Sequence, residues 1–278
     1  MTRAVALTDA ERLWYRRQTV LPEIGEAGQA RLKGARVLVI GAGGLGSPLL
    51  LYLAGAGVGT LGIVDFDLVE VSNLHRQILH GVDRLDSPKT ASAEATLRGL
   101  NPHVAIVRHD CAIGPHNAAD LVAGWDVVAD GSDNFATRDA VHAACLAARV
   151  PLVSAAAQLT DGILTTFKAW LGPPHPCYRC LFPEAPPAAL TPSCAEIGVL
   201  GPALGMLGSM QATAVIREIL EDAVDEPGLS GTLLMVDAWR HDVAHTTLPR
   251  RAGCPVCDAP QPPVTGGNRL TSSPAESS

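Results

Sequence analysis

Arg36-Val37-Leu38-Val39-Ile40 runs straight into Gly41-Ala42-Gly43-Gly44-Leu45-Gly46, and residues 47–56 follow as a small-residue, apolar helix. A short β-branched run, a glycine turn and a helix make the first half of a β-α-β unit. Glycine lets the chain turn within a few residues and lets its backbone approach a phosphate. The helix behind the turn offers N–H donors and positive potential to the same anion. A second strand is predicted over residues 61–65, and its last residue, Asp65, stands 24 residues after Gly41. A carboxylate there accepts hydrogen bonds from ribose hydroxyls. The competing reading is a glycine turn that binds nothing, and the order strand, turn, helix, acid weighs against it. Taken alone, the signal points to a dinucleotide such as NAD.

The alternation continues. Strands are predicted over residues 104–108, 126–130 and 152–154, and helices over 89–100 and 138–149. Thr8 or Asp9 caps an earlier helix. Strands that alternate with helices imply parallel pairing and helices on both faces. The texture changes after residue 155. Residues 163–171 read as an antiparallel strand, 172–192 as a proline- and cysteine-rich crossover, 197–220 as an apolar helical region and 231–237 as a further strand. The expected fold is α/β: a Rossmann-like, mostly parallel sheet continued by antiparallel strands. Residues 259–278 are rich in Pro, Ser, Thr and Gly and read as a disordered tail.

Composition narrows the partners. Hydrophobic residues make up 47% of the chain, too many for a disordered protein. A net charge of −7 leaves no basic surplus for nucleic acid. There is no signal-peptide core and no uncharged apolar run of about 18 residues, so the expectation is a cytoplasmic protein away from membranes.

After the second strand come Asp65-Phe66-Asp67 and Ser72-Asn73-Leu74-His75-Arg76-Gln77, then Pro88-Lys89 at a helix start. Asn73, Arg76, Gln77 and Lys89 are in reach of phosphates at the C-terminal edge of the sheet. A pyrophosphate held by a helix N-terminus needs few cations, whereas a triphosphate needs more, so the cluster moves the balance from NAD to ATP. The plainer alternative is a solvated helix start. Asp130-Gly131-Ser132-Asp133-Asn134 closes the fourth strand at the same edge. Its carboxylates suit Mg²⁺ beside phosphate oxygens, or the cap of the next helix; spacing alone leaves both open.

The chain has seven cysteines, an odd number that excludes a complete disulfide framework. Cys177-Tyr178-Arg179-Cys180 and Cys254-Pro255-Val256-Cys257 are two CxxC pairs, each able to give two thiolates to one tetrahedral Zn²⁺. Such a site would be closed and structural. The alternative is a redox dithiol, although neither pair opens a helix of a thioredoxin-like unit. Cys111 and Cys145 read as small buried hydrophobes. Cys194 lies at the end of the proline-rich segment before a helix, where a thiol is a candidate nucleophile.

Together these motifs, with Tyr15-Arg16-Arg17-Gln18, resemble the adenylyltransferases that activate ubiquitin-like sulfur-carrier proteins, the ThiF/MoeB/HesA group. The resemblance covers about residues 7–258. It implies one adenylation domain over 1–258, with a helical arm at 8–33, a nucleotide-binding half at 34–155 and a carrier-binding and zinc half at 156–258. It implies that Gly41, Gly43, Gly44 and Gly46 form an ATP site, that Asp65 contacts the ribose and that Asp67 belongs to the same site. Asn73, Arg76 and Lys89 would contact the phosphates, and Ser72, Leu74 and His75 would belong to the same nucleotide site. Asp133, with Asn134 beside it, would hold Mg²⁺. Arg17 would reach into the partner subunit of a homodimer, and the four CxxC cysteines would hold Zn²⁺. Cys194 matches a crossover-loop cysteine that some members use for a covalent link. The implied reaction is adenylation of a carrier's C-terminal Gly-Gly carboxylate, ahead of thiocarboxylate formation for thiamine, molybdopterin or cysteine biosynthesis. Larger relatives carry a rhodanese domain. None follows here, so a separate sulfur donor is expected. The competing expectations are an NAD-dependent oxidoreductase and a non-catalytic scaffold for a ubiquitin-like partner.

Overall fold

The run Arg36–Ile40 forms β1, whose residues alternate between two cores. Val37 and Val39 face one hydrophobic cluster, Leu38 and Ile40 the other. A strand buried on both faces belongs in the middle of a sheet with helices above and below. That is where β1 lies in a computed structural model of the chain, which describes residues 3–184, 197–221 and 228–258. The other strands are β2 (Thr60–Val64), β3 (Ala105–His109), β4 (Val127–Asp130), β5 (Leu152–Gln158), β6 (Asp161–Phe167), β7 (Thr232–Asp237) and β8 (Asp242–Thr247). The sheet order is β3-β2-β1-β4-β5-β6-β7-β8. β1 to β5 pair in parallel, and β6 to β8 continue the sheet antiparallel.

Eight helices among the described residues flank the sheet: α1 (Asp9–Trp14), α2 (Gly25–Gly34), α3 (Gly46–Gly55), α4 (Lys89–Leu100), α5 (Ala118–Val122), α6 (Phe135–Ala148), α7 (Tyr178–Leu181) and α8 (Gly201–Leu220). Thr8 caps α1 in a capping box with Glu11, as its sequence suggests. The segment after α1 docks by spacing: Tyr15 is buried and Gln18 bonds Gln29, while Arg16 and Arg17 face solvent. α8 packs close to α3, because a Cβ on Gly208 would lie 2.5 Å from Pro48. Its buried Gln211 donates to the carbonyls of Asp130 (2.9 Å) and Val153 (3.1 Å), pinning the ends of β4 and β5. No described helix is long and apolar enough to cross a membrane.

Boundaries differ from the expectations most at four places. β5, expected over 152–154, runs on to Gln158, and α6, expected from 138, opens at Phe135 behind its Asn134 cap. The antiparallel strand ends at Phe167, and Ala169–Leu171 is a short 3₁₀ turn. In the expected helical region Ile197 is helical, but residues 198–200 leave the helix, with Leu159 bonded to Gly198 and Leu200, and α8 opens at Gly201. Cys194 and the tail 259–278 lie outside the described residues.

Candidate functional site

Glycine is required in the turn for two different reasons. Gly41 has φ +91°, a conformation open chiefly to glycine. A Cβ on Gly46 would lie 2.0 Å from the carbonyl oxygen of Gly41, so the turn closes only without a side chain. Gly43 has room around it, and its carbonyl accepts a bond from Ser47 Oγ at 2.7 Å. Leu204 of α8 covers Gly44. No side chain caps the start of α3, which leaves its first amides to an incoming anion.

Asp65, just past β2, anchors the turn. Its Oδ2 accepts the N–H of Ala42 (2.8 Å) and its Oδ1 the N–H of Asp67 (2.9 Å). Burial raises its carboxyl pKa above the usual range, against the pull of Lys89 and these two N–H bonds. His80 supports the turn from below: its Nε2 lies 2.9 Å from the Ala42 carbonyl and its Nδ1 2.9 Å from Ser92 Oγ. Burial lowers its pKa, which favours a neutral ring. Nothing in the spacing of the sequence marks His80 for this role.

The cations are held at the cleft wall. Lys89, the first residue of α4, is buried, and its Nζ lies 2.7 Å from Asp67 Oδ2. Arg76 is clamped by the 3₁₀ turn Val71–Asn73 before it and by its neighbour His75: its guanidinium donates to Asn73 Oδ1 (2.7 Å) and the Ser72 carbonyl (3.2 Å) and sits 2.9 Å from His75 Nε2. Ser72, Asn73 and His75 therefore aim Arg76 and do not themselves line the cleft, and neither does Leu74. At the end of β4, Asp130 Oδ1 accepts the Ser132 N–H, and Asn134 Oδ1 caps α6 by accepting the Thr137 N–H at 2.9 Å. Capping thus falls to Asn134. The exposed Asp133 lines the cleft with no hydrogen bond or ion pair among the described residues, and a free carboxylate of this kind suits a hard cation.

These groups share one cleft of about 1020 Å³. It takes in Gly41, Gly43, Gly44, Asp65, Asp67, Arg76, Lys89, Asp133 and Asn134, with Gly46 behind the turn. It then runs on past β5 and β6 to Met235 and Asp242. That is the upper end of the ~300–1,000 Å³ usual for ligand pockets, with space beyond a nucleotide. Arg17 is exposed and does not line it. Cys145 is buried as expected, but Cys111 is half-buried and lines the cleft. It follows β3 at the C-terminal edge of the sheet, where open α/β sheets expose residues to ligands.

The four remaining described cysteines converge. Their sulfurs all lie within 4.8 Å of one another, with Cys177–Cys254 and Cys180–Cys257 at 3.6 Å and Cys177–Cys180 at 3.8 Å. Four sulfurs ~2.3 Å from a central zinc stand roughly 3.8 Å apart, so the cluster has the size of a tetrahedral thiolate site. The donor set is all soft sulfur. The Arg251 N–H points at Cys180 Sγ (3.3 Å), and Arg250 ties the second pair to the carbonyls of Ala169 (3.0 Å) and His175 (3.2 Å).

Comparison with known proteins agrees with this geometry. The sequence profile described as "ThiF family" matches residues 15–256. The chain is 49% identical over 261 residues to "Adenylyltransferase and sulfurtransferase MOCS3" of Sus scrofa, covering 94% of this chain and 56% of that protein. The chain thus spans about half the length of that relative. It is 43% identical to the "Sulfur carrier protein adenylyltransferase" of Thermus thermophilus, covering 87% of this chain and 89% of that one. The crystal structure of E. coli MccB with ATP shares the fold at TM-score 0.75, with 20% identity over 88% of this chain and 74% of that one.

Proposed function

The chain belongs to the ThiF family, and on that footing we propose that it uses ATP to adenylate the C-terminal Gly-Gly carboxylate of a ubiquitin-like sulfur-carrier protein. The observation that carries this reading is the continuity of one cleft. A glycine turn, Asp65, Arg76, Lys89 and Asp133 gather at its nucleotide end, and an open channel runs from them over the antiparallel strands. A dinucleotide needs no such cation set. An extended peptide end needs such a channel.

In this reading the ribose hydroxyls bond Asp65, and the phosphates lie on the glycine turn at the start of α3. Lys89 and Arg76 face the growing negative charge. A carboxylate is already ionised at neutral pH, so attack on the α-phosphorus needs no strong general base. The bond from the α-phosphorus to pyrophosphate breaks as the acyl-phosphate bond forms. Placement of the reactants and fixed charge supply the rate. Asp133 would hold Mg²⁺, which when bound offsets phosphate charge. The four thiolates would hold Zn²⁺ as a closed structural site joining the 177–180 turn to residues 254–257. Arg17, exposed on the N-terminal arm, would complete the site of a second copy in a homodimer. The thiocarboxylate would then serve thiamine, molybdopterin or cysteine biosynthesis.

The test is ATP–pyrophosphate exchange with and without carrier proteins ending in Gly-Gly. Carrier-dependent exchange is expected. None across several carriers would overturn the reading.

A further inference from the structure

Tyr178 stands between two cysteines of the metal cluster, yet it also lines the nucleotide cleft. Its ring packs between Phe182 (5.2 Å), His142 (5.9 Å) and Phe167 (5.9 Å), and Phe182 meets Phe135 edge-on at 5.5 Å. The residue is 1% exposed, and its hydroxyl has no hydrogen-bond partner among the described residues. Ser132 Oγ, in the β4–α6 turn of the same cleft, is also buried and without a partner. Buried hydroxyls are nearly always satisfied in native proteins. Gln77 Oε1 is a third orphan of the same cleft and can only accept, so the two hydroxyls are the orphans able to donate to a bound group.

The sheet order places them. Asp65 follows β2, the glycine turn follows β1, Ser132 and Asp133 follow β4, and β5 and β6 border the open channel. Crossing the sheet in that order leads from ribose to phosphates to the peptide end. Ser132 follows β4, and Tyr178 joins it there through Phe182 and Phe135. They stand at the crossing from phosphate to peptide. An acceptor at that point is anionic, and a neutral hydroxyl can hold it without a proton changing hands.

We propose that Tyr178 Oη donates a hydrogen bond to one oxygen of the carrier's terminal carboxylate, with Ser132 Oγ as a second donor, and so turns the other oxygen to the α-phosphorus. The phenol keeps its proton throughout. The assignment rests on the adenylation reading and adds the residue that receives the nucleophile.

The experiment is Tyr178→Phe in the zinc-loaded full-length chain, which removes one oxygen and keeps the ring. Zinc content, thermal midpoint, ATP affinity and carrier-dependent exchange are measured beside wild type. Zinc and ATP affinity should be unchanged, and the midpoint equal or higher, because an unsatisfied group is lost. The kcat/KM for the carrier should fall ~10- to 100-fold, mostly in KM, the worth of a hydrogen bond to a charged group. Exchange equal to wild type overturns the assignment. A lower midpoint with zinc loss makes the hydroxyl structural and also overturns it. Equal weakening for ATP moves the contact to the nucleotide and overturns it as well. If wild type shows no carrier-dependent exchange, the adenylation reading fails and takes this assignment with it.

Discussion

Lys89 Nζ lies 2.7 Å from Asp67 Oδ2, with 5% of the lysine side chain and 50% of the aspartate side chain exposed. The pair is lopsided. The ammonium is out of water and directed along the cleft wall, while its partner remains half hydrated. Asp67 can return to solvent when a polyanion arrives, whereas Lys89 has no other exit. Lys89→Ala should therefore keep the fold and lower carrier-dependent pyrophosphate exchange ~10²- to 10³-fold, the scale of losing one preorganised charge contact. Circular dichroism and the exchange assay check the two halves of this statement. Normal exchange would remove Lys89 from the phosphate site.

Two alanines separate folding from binding in the glycine turn. At Gly46 the new Cβ would lie 2.0 Å from a backbone oxygen, so the turn must open. A stability loss of ~1–3 kcal/mol is expected, as for overpacking elsewhere. At Gly43 the nearest atom is 3.6 Å away and belongs to the flexible Gln77 side chain. Gly43→Ala should be as stable as wild type in urea, yet bind ATP at least ~10-fold more weakly, because in the proposed site the methyl would stand where the phosphates approach. Equal ATP affinity would place the nucleotide elsewhere.

Zinc analysis should return one ion per chain. Cys254→Ser should lose that ion and lower the thermal midpoint, since binding energy at a structural site is folding energy. The cluster holds the 177–180 turn against residues 254–257, so chelation should also loosen the cleft wall at Tyr178 and Phe182. A metal-free chain with an unchanged midpoint would remove the staple.

Cross-complementation addresses Arg17. If its guanidinium serves a second copy, Arg17→Ala and Lys89→Ala each lose most of the exchange, and mixing them restores part of it. About one site in four is then intact under random pairing of ordinary homodimers. Light scattering gives the mass of the same sample. No restored activity in a sample shown to exchange subunits would confine Arg17 to its own chain.

Much of the fold could be read because local signals agree. The strand at 36–40, the glycine turn and Asp65 fall in one short stretch, and the helix Lys89–Leu100 has Pro88 before it and Asn101-Pro102 after it. β8 could not be read: all six of its residues are exposed, so no alternation marks it. The site divides in the same way. The motif 72–77 is plain in sequence, but that Ser72, Asn73 and His75 orient Arg76 appears only once the chain folds them around its guanidinium. Tyr178 is hidden inside a metal motif, and its second environment exists only because α7 packs against α6.

That packing carries a pH dependence. His142 of α6 is buried, and its Nε2 accepts the Tyr178 N–H at 3.3 Å. Burial, with a lesser push from Arg179, lowers its pKa from 6.5 to about 4. The folded chain therefore keeps the ring neutral where the unfolded chain takes up a proton. The contribution is complete above the unfolded value and is lost as pH falls from 6.5 towards 4. At ~1.4 kcal/mol per pH unit inside that window, it costs about 2 kcal/mol between pH 7 and pH 5. His142→Gln offers a carbonyl to the same N–H and cannot take up the proton. Urea unfolding at pH 7, 6 and 5 should show the variant losing about 2 kcal/mol less than wild type across that range. Acid release of zinc acts on both chains and cancels in the difference. Parallel losses in the two would show that His142 is not the group being titrated.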